Sequence, residues 1–147
     1  MKLLVIDGNS ILNRAFYGVR LLSTKDGRFT NGIFGFMNIF LHLLDEYKPD
    51  SVAVAFDVKA PTFRHKMYDA YKAQRKGMPE ELEEQMPYLK NMLKLMGIPI
   101  LECEGYEADD IIGSFTKKFD TKNIVLSADK DLLQLINENT EVWLTKK

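Results

Sequence analysis

Short apolar segments alternate with stretches of helical periodicity along the chain. The candidate strands are the segments at residues 3–6, 52–56, 98–101, 124–126 and 142–144. Most are bounded by turn formers or charged residues, as is typical of buried strands in a parallel sheet. Pro99 lies in the third segment, and we therefore expect that strand at an edge of the sheet, where a missing backbone N–H is tolerated.

The stretches between these segments carry apolar residues every three or four positions, as on the buried face of a helix. The two longest stripes cover residues 33–44 and 82–96, and Pro87 inside the second predicts a kink or a late helix start. Shorter stripes cover residues 108–115 and 132–136. Strands that alternate with helices predict an α/β fold in which helices flank a mainly parallel central sheet.

The composition suits one globular domain that is not embedded in a membrane. The chain has 147 residues, of which 46% are hydrophobic and 28% charged. Charged and polar residues interrupt every apolar segment well before the roughly 18 residues of a membrane helix. The single cysteine, Cys103, excludes an internal disulfide and fits a reducing compartment, so we expect a cytoplasmic protein.

The distribution of charge is more informative than the net charge of −1. Residues 59–77 contain six Lys or Arg residues and one acid, whereas residues 102–110 contain five acids and no base. Taken alone, a basic stretch is usually a solvated face. The chain nevertheless has one segment suited to a phosphate backbone and another suited to cations.

Acidic residues follow four of the predicted strands. Because ligands bind beyond the carboxyl ends of strands in open α/β sheets, we expect these carboxylates to converge on one edge. Like charges packed together are costly unless they are neutralised, and hard divalent cations prefer oxygen ligands. The pattern therefore predicts Mg²⁺ or Mn²⁺, as two ions. The acids concerned are Asp7, Asp57, Glu107, Asp109, Asp110, Asp129 and Asp131.

Each acid also has a purely structural interpretation. An Asp after a strand is often a turn former or a helix N-cap. Asp129 could be such a cap, and residues 7–10 could form only a turn. Four such sites on one sheet edge favour the metal interpretation.

Six strings of residues carry a family resemblance. They are DGNS at 7–10, NGIFGF at 31–36, VAFD at 54–57, YKAQR at 71–75, GYEADDIIG at 105–113 and SADKDLLQL at 127–135. In this order along the chain, they resemble the 5′ nuclease family found at the N-terminus of bacterial DNA polymerase I. The resemblance implies a PIN-like, resolvase-like three-layer fold with a helical arch segment over residues 63–78. It also implies a flap endonuclease and 5′→3′ exonuclease that uses two divalent metal ions.

The resemblance also assigns roles to individual residues. The implied ligands are Asp7, Asp57, Glu107 and Asp109 for the first ion, and Asp129 and Asp131 for the second, with Asp109 or Asp110 as the bridge. The implied catalytic residues are Asp109 with Lys72 and Arg75, which clamp the scissile phosphate. The remaining implied DNA contacts are Tyr71, which stacks on an unpaired base, Arg14, and Gly32, Gly35 and Phe36 at the helix start that abuts the DNA junction.

Nucleases of this family continue beyond the equivalent of residue 147, with a helix-hairpin-helix element and further aspartates. We therefore expect residues 1–147 to form a single PIN-like domain with a weak second metal site and reduced activity. The expected parent is a monomeric chain with a polymerase region, acting on DNA with a 5′ end or flap. Two alternatives stay open, namely a metal- and DNA-binding module that does not cut and a PIN-type ribonuclease.

Overall fold

The computed structural model describes residues 1–58, 79–102, 104–118 and 121–145. It contains one sheet of five parallel strands in the order β3-β2-β1-β4-β5. The strands are β1 (Lys2–Asp7), β2 (Ser51–Ala55), β3 (Ile100–Leu101), β4 (Lys122–Ser127) and β5 (Thr140–Leu144). The edge position of β3 confirms the expectation drawn from Pro99.

All of the helices except the first follow the predicted apolar stripes. They are α1 (Gly8–Gly18), α2 (Asn31–Tyr47), α3 (Glu80–Glu83), α4 (Gln85–Leu95), α5 (Ala108–Lys118) and a 3₁₀ helix (Lys130–Leu135). The predicted interruption of the 82–96 stripe is a break at Glu84, and Pro87 lies in the first turn of α4. A proline is tolerated there because the first-turn N–H groups have no partner within the helix.

Side chains of β1 alternate between two separate cores, which makes the molecule three layers thick. Leu4 and Ile6 pack with residues of α1, α2 and α4 on one face of the sheet. Leu3 and Val5 pack with residues of α5 and the 3₁₀ helix on the other face. The predicted α/β class, with helices on both faces of a parallel sheet, is confirmed.

A buried glutamine joins α4 to the start of α2. Gln85 is 0% exposed, and its Oε1 accepts hydrogen bonds from the backbone N–H groups of Gly32 (2.8 Å) and Ile33 (3.1 Å). Its Nε2 donates to Asn31 Oδ1 (3.0 Å) and to the carbonyl oxygen of Glu81 (2.9 Å). Gln85 thus caps two backbone N–H groups in the first turn of α2 from another helix. A buried polar group without a hydrogen-bond partner costs about 1–3 kcal/mol of stability.

The strand order changes direction at the central strand, β1. From β1 the chain passes outward to β2 and β3, then crosses back to place β4 on the other side of β1. The order therefore reverses between β1 and β4, which is where ligands bind in open α/β sheets. Among the described residues, no helix is both long enough and apolar enough to span a bilayer.

Candidate metal centre

Three carboxylates cluster at the start of α5. Glu107 is buried, Asp109 and Asp110 are half-buried, and one carboxylate oxygen from each lies within 4.8 Å of the others. The backbone N–H of Glu107 donates to Asp110 Oδ2 (3.1 Å), and that of Asp110 donates to Asp109 Oδ1 (3.0 Å). The positive end of the helix dipole partly offsets the repulsion among them.

Asp57 ties this cluster to the ends of β2 and α1. The backbone N–H of Asp57 donates to Asn9 Oδ1 (2.8 Å), and Asp57 Oδ1 accepts from the N–H of Ala108 (2.5 Å). Both the backbone and the carboxylate of Asp57 are therefore held by neighbouring elements. This arrangement fixes the distance between the end of β2 and the first turn of α5.

Asp7, the last residue of β1, is an ionisable group in an unfavourable environment. It is 5% exposed, and burial raises the pKa of its carboxyl from 3.8 to about 6. Hydrogen bonds from Ser127 and Ser10 lower the pKa, and the nearby negative charge of Asp57 raises it, but burial is the largest effect. A cation beside Asp7 would remove most of the cost of ionising it.

Asp129 is connected to Asp7 through Ser127, but it does not join the cluster on α5. Its Oδ1 accepts from the N–H of Asp131 (2.9 Å), so it caps the 3₁₀ helix, as the structural interpretation of the sequence allows. Its own N–H donates to Ser127 Oγ (2.9 Å), and that hydroxyl donates to Asp7 Oδ2 (2.9 Å). In the part of the chain that the structure describes, no group of three carboxylates within 4.8 Å includes Asp7, Asp57, Asp129 or Asp131.

The donor set suits a hard divalent cation. Every candidate ligand is a carboxylate oxygen, which Mg²⁺ and Mn²⁺ prefer over the nitrogen and sulfur ligands of zinc sites. The α5 cluster offers three such ligands at mutual distances that one ion can span, and Asp7 and Asp57 lie at the ends of adjacent strands of the same sheet. The residues present therefore fit a metal centre.

The family model described as "5′-3′ exonuclease, N-terminal resolvase-like domain" matches residues 2–147. The chain belongs to this exonuclease-domain family.

Relatives of the exonuclease domain include longer proteins. DNA polymerase I of Caldicellulosiruptor bescii is 46% identical over 145 residues, which are 97% of this chain and 17% of that protein. The 5′-3′ exonuclease of Aquifex aeolicus is 44% identical over 143 residues, which are 95% of this chain and 50% of that protein. The chain therefore spans at most half the length of these relatives.

Solved structures share the fold of this exonuclease domain at low sequence identity. The T5 D15 protein, co-crystallized with metal ions, matches with a TM-score of 0.71 at 21% identity, covering 98% of this chain and 55% of that chain. The catalytic core of Rad2 in complex with DNA matches with a TM-score of 0.60 at 17% identity, covering 96% of this chain and 41% of that chain. These similarities support the PIN-like, resolvase-like architecture.

The side chain of Phe36, one of the expected DNA contacts, is buried. Phe36 is 0% exposed and stacks on Phe40 with ring centroids 6.2 Å apart, so its side chain belongs to the core. Gly32 and Gly35 are also buried where α2 meets α1. A Cβ on Gly35 would lie 2.8 Å from the Cβ of Ala15, so close helix packing accounts for that glycine.

The other expected DNA contacts are Arg14 and three residues of the predicted arch. Arg14 is half-buried, and its Nη1 lies 3.0 Å from the position of a Cβ on Gly18, at the opposite end of α1 from Asp7. Tyr71, Lys72 and Arg75, with the predicted arch, lie outside the described residues.

The sequence did not identify several residues that support the carboxylates. Asn9, Ser10 and Ser127 lie within the strings DGNS and SADKDLLQL, but those strings pointed to their acids rather than to their amide and hydroxyl groups. A cleft of about 400 Å³ beside Asp57 is lined in part by Asn9 and Lys90. Lys90 Nζ lies 2.8 Å from Glu102 Oε1, so this cation is already paired within the fold.

Proposed function

We propose that this chain forms the metal-binding part of a 5′ nuclease domain that hydrolyses DNA phosphodiesters at 5′ ends and flaps. The observation that carries the proposal is the set of Glu107, Asp109 and Asp110 oxygens within 4.8 Å of one another, at the same sheet edge as Asp7 and Asp57. The Aquifex aeolicus relative named a 5′-3′ exonuclease supports the reaction. The T5 protein crystallized with metal ions and the Rad2 core in complex with DNA support the cofactor and the substrate class.

The proposed ligand sets are those that the family resemblance implies, and we propose Mg²⁺ or Mn²⁺ as the ions. The first ion would be held by Asp7, Asp57, Glu107 and Asp109, and the second by Asp129 and Asp131, with Asp109 or Asp110 between them. When bound, such ions lower the pKa of a water molecule and stabilise negative charge on the attacked phosphodiester.

The protein contributes a rigid arrangement of these ligands. Asp57 is held by the N–H of Ala108 and through Asn9, and Asp7 is held by the hydroxyl of Ser127. Strand ends and a helix start hold ligands more precisely than loops do, because the surrounding packing restrains them. We therefore expect Asp7 and Asp57 to move little when a cation binds.

The basic stretch at residues 59–77 supplies the proposed contacts to DNA. Lys72 and Arg75 would donate charge-assisted hydrogen bonds to the scissile phosphate, and Tyr71 would stack on an unpaired base. Arg14 is the further candidate for a phosphate contact. We also propose that residues 1–147 act as one PIN-like unit of a cytoplasmic, monomeric parent protein with a polymerase region, for which the polymerase I relatives are the support.

The proposed function predicts cleavage that depends on both the metal ion and the DNA structure. With Mg²⁺ or Mn²⁺, we expect this chain to cut a 5′-labelled flap DNA near the junction, and EDTA to abolish the cutting. The measurement is a gel assay of the flap DNA, a blunt duplex and an RNA of the flap sequence.

The controls separate the alternatives. Preferential cutting of the RNA, without a preference for the flap, would identify a PIN-type ribonuclease instead. A folded protein that binds Mn²⁺ but cuts none of the substrates would identify a binding module and contradict the proposed activity of this chain.

A further inference from the structure

Two hydroxyl groups lie between the Asp7 carboxylate and the backbone that carries Asp129. Ser127, the last residue of β4, is 0% exposed, and Ser10, in the first turn of α1, is half-buried. Neither residue is among the proposed metal ligands. Ser127 contacts two of the proposed ligands, Asp7 and Asp129. Ser10 contacts Ala128, the residue that precedes Asp129.

Their hydrogen bonds form a continuous chain. Ser127 Oγ donates to Asp7 Oδ2 (2.9 Å) and accepts from the N–H of Asp129 (2.9 Å). Ser10 Oγ lies 3.1 Å from Ser127 Oγ and accepts from the N–H of Ala128 (3.0 Å). Ser10 Oγ also donates a hydrogen bond to the backbone carbonyl oxygen of Asp7 (3.4 Å).

These hydrogen bonds join the two proposed ligand sets at one atom, Ser127 Oγ. The Asp7 carboxylate fixes the position of the Ser127 hydroxyl, and the Ser127 oxygen in turn holds the N–H of Asp129. Restraining the Asp7 carboxylate therefore restrains the backbone at Asp129. Since Asp129 Oδ1 caps the 3₁₀ helix through the N–H of Asp131, the placement of Asp131 depends on the same contact.

We propose that Ser127, supported by Ser10, is a positioning residue that couples the first metal site to the second. A divalent cation beside Asp7 orders the Asp129 backbone through Ser127, and an ordered Asp129 in turn favours the cation beside Asp7, because such coupling is reciprocal. This inference rests on the proposed function.

Thr116 provides a matched control for the loss of a nearly buried hydroxyl. It is 8% exposed, and its Oγ1 donates to the carbonyl oxygen of Gly113 (3.2 Å), one turn earlier in α5. That bond is local and contacts none of the proposed ligands. Thr116→Val removes the hydroxyl and keeps the size of the side chain.

The test measures metal affinity and local backbone order rather than cleavage. Hydrogen exchange of the Asp129 amide is followed by NMR with and without Mg²⁺, and Mn²⁺ affinity is measured by calorimetry. In the wild type we expect Mg²⁺ to slow Asp129 exchange by about fivefold or more. In Ser127→Ala we expect fast exchange that does not respond to Mg²⁺, and Mn²⁺ affinity lower by about tenfold or more, as for other residues that orient metal ligands.

Two further variants distinguish coupling from a structural role. Ser127→Thr restores the hydroxyl and is expected to recover both readouts, whereas Thr116→Val is expected to leave both at the wild-type level. If Ser127→Ala does not fold, Ser10→Ala takes its place. It leaves the hydrogen bond from Ser127 to Asp7 intact and is expected to reduce the Mg²⁺ response of the Asp129 amide.

The possible failures are separable. Wild-type Mn²⁺ affinity together with a wild-type Mg²⁺ response in Ser127→Ala would overturn the coupling and leave the metal centre standing. An equal loss of Mn²⁺ affinity in Thr116→Val would also overturn the coupling, because the effect would then be general. If the folded wild type binds no Mn²⁺ at all, the proposed metal centre fails together with this inference.

Discussion

Asp109→Asn is expected to lower the rate of flap cleavage by roughly 10²- to 10⁴-fold. Asp109 is one of the three clustered carboxylates at the start of α5, a proposed ligand of the first ion and one of the two residues proposed to lie between the ions. Asparagine keeps the shape of the side chain but removes its charge. Stabilisation of a phosphodiester by a bound cation is worth several kcal/mol, and each 1.36 kcal/mol is tenfold in rate.

The matched control for this variant is Asp45→Asn. Asp45 is exposed on α2, outside the acidic edge, so its replacement removes the same charge without changing the site. Cleavage is measured by gel under single-turnover conditions at saturating Mg²⁺, after circular dichroism has confirmed that both variants are folded. Equal rates for Asp109→Asn and Asp45→Asn would show that Asp109 has no part in the reaction.

Asp7→Asn is expected to stabilise the metal-free protein and to remove most of the further stabilisation that Mn²⁺ gives the wild type. Burial raises the pKa of Asp7 from 3.8 to about 6, so the folded protein binds a proton at this site more tightly than the unfolded chain does. The metal-free protein therefore loses stability as the pH rises from about 4 to about 6, and the loss is complete above that range. Two pKa units correspond to about 3 kcal/mol, which is an upper limit for this contribution.

The measurement is thermal unfolding of the wild type and Asp7→Asn at pH 8 and pH 4, in EDTA and in Mn²⁺. At pH 8 in EDTA we expect the variant to melt higher by roughly 4–10 °C, and at pH 4 we expect the difference to vanish. In Mn²⁺ at pH 8 we expect the wild type to gain stability and the variant to gain little, because a ligand stabilises only the folded state that binds it. A variant that melts lower than the wild type in EDTA at pH 8 would contradict the pKa argument.

The strands and the acidic edge could be predicted because their signals are local. Segments such as residues 3–6 are apolar throughout, and a parallel strand buried on both faces has that pattern. Asp7 and Asp57 come directly after such segments, and parallel strands bring their carboxyl ends to the same edge. The placement of both residues therefore followed from chain order and strand direction alone.

The clustering of Glu107, Asp109 and Asp110 apart from Asp129 could not be predicted in this way. Strand-end position places Asp129 at the same edge as Glu107, but it does not give the distances between side chains. Those distances depend on how α5 and the 3₁₀ helix pack on one face of the sheet. The connection through Ser127 involves Asp7, which is 120 residues away in sequence, so no local pattern contains it.

Phe36 and Gln85 show two further limits of predicting this structure from its sequence. The periodicity that predicts α2 also predicts a buried Phe36, and a family string had favoured a DNA contact instead. Gln85 is a polar residue within an apolar stripe, and its partner Asn31 lies 54 residues earlier in the chain. A polar residue in such a stripe signals burial only when its partners are known, and that required the tertiary structure.

The most direct test of the metal centre is an anomalous difference map from crystals of this chain soaked in Mn²⁺. The predicted result is a peak within about 2.0–2.6 Å of carboxylate oxygens from Glu107, Asp109 or Asp110, with Asp7 or Asp57 completing the site. No peak at saturating Mn²⁺, or a peak held only by other residues, would contradict the proposal that this edge of the sheet binds the metal.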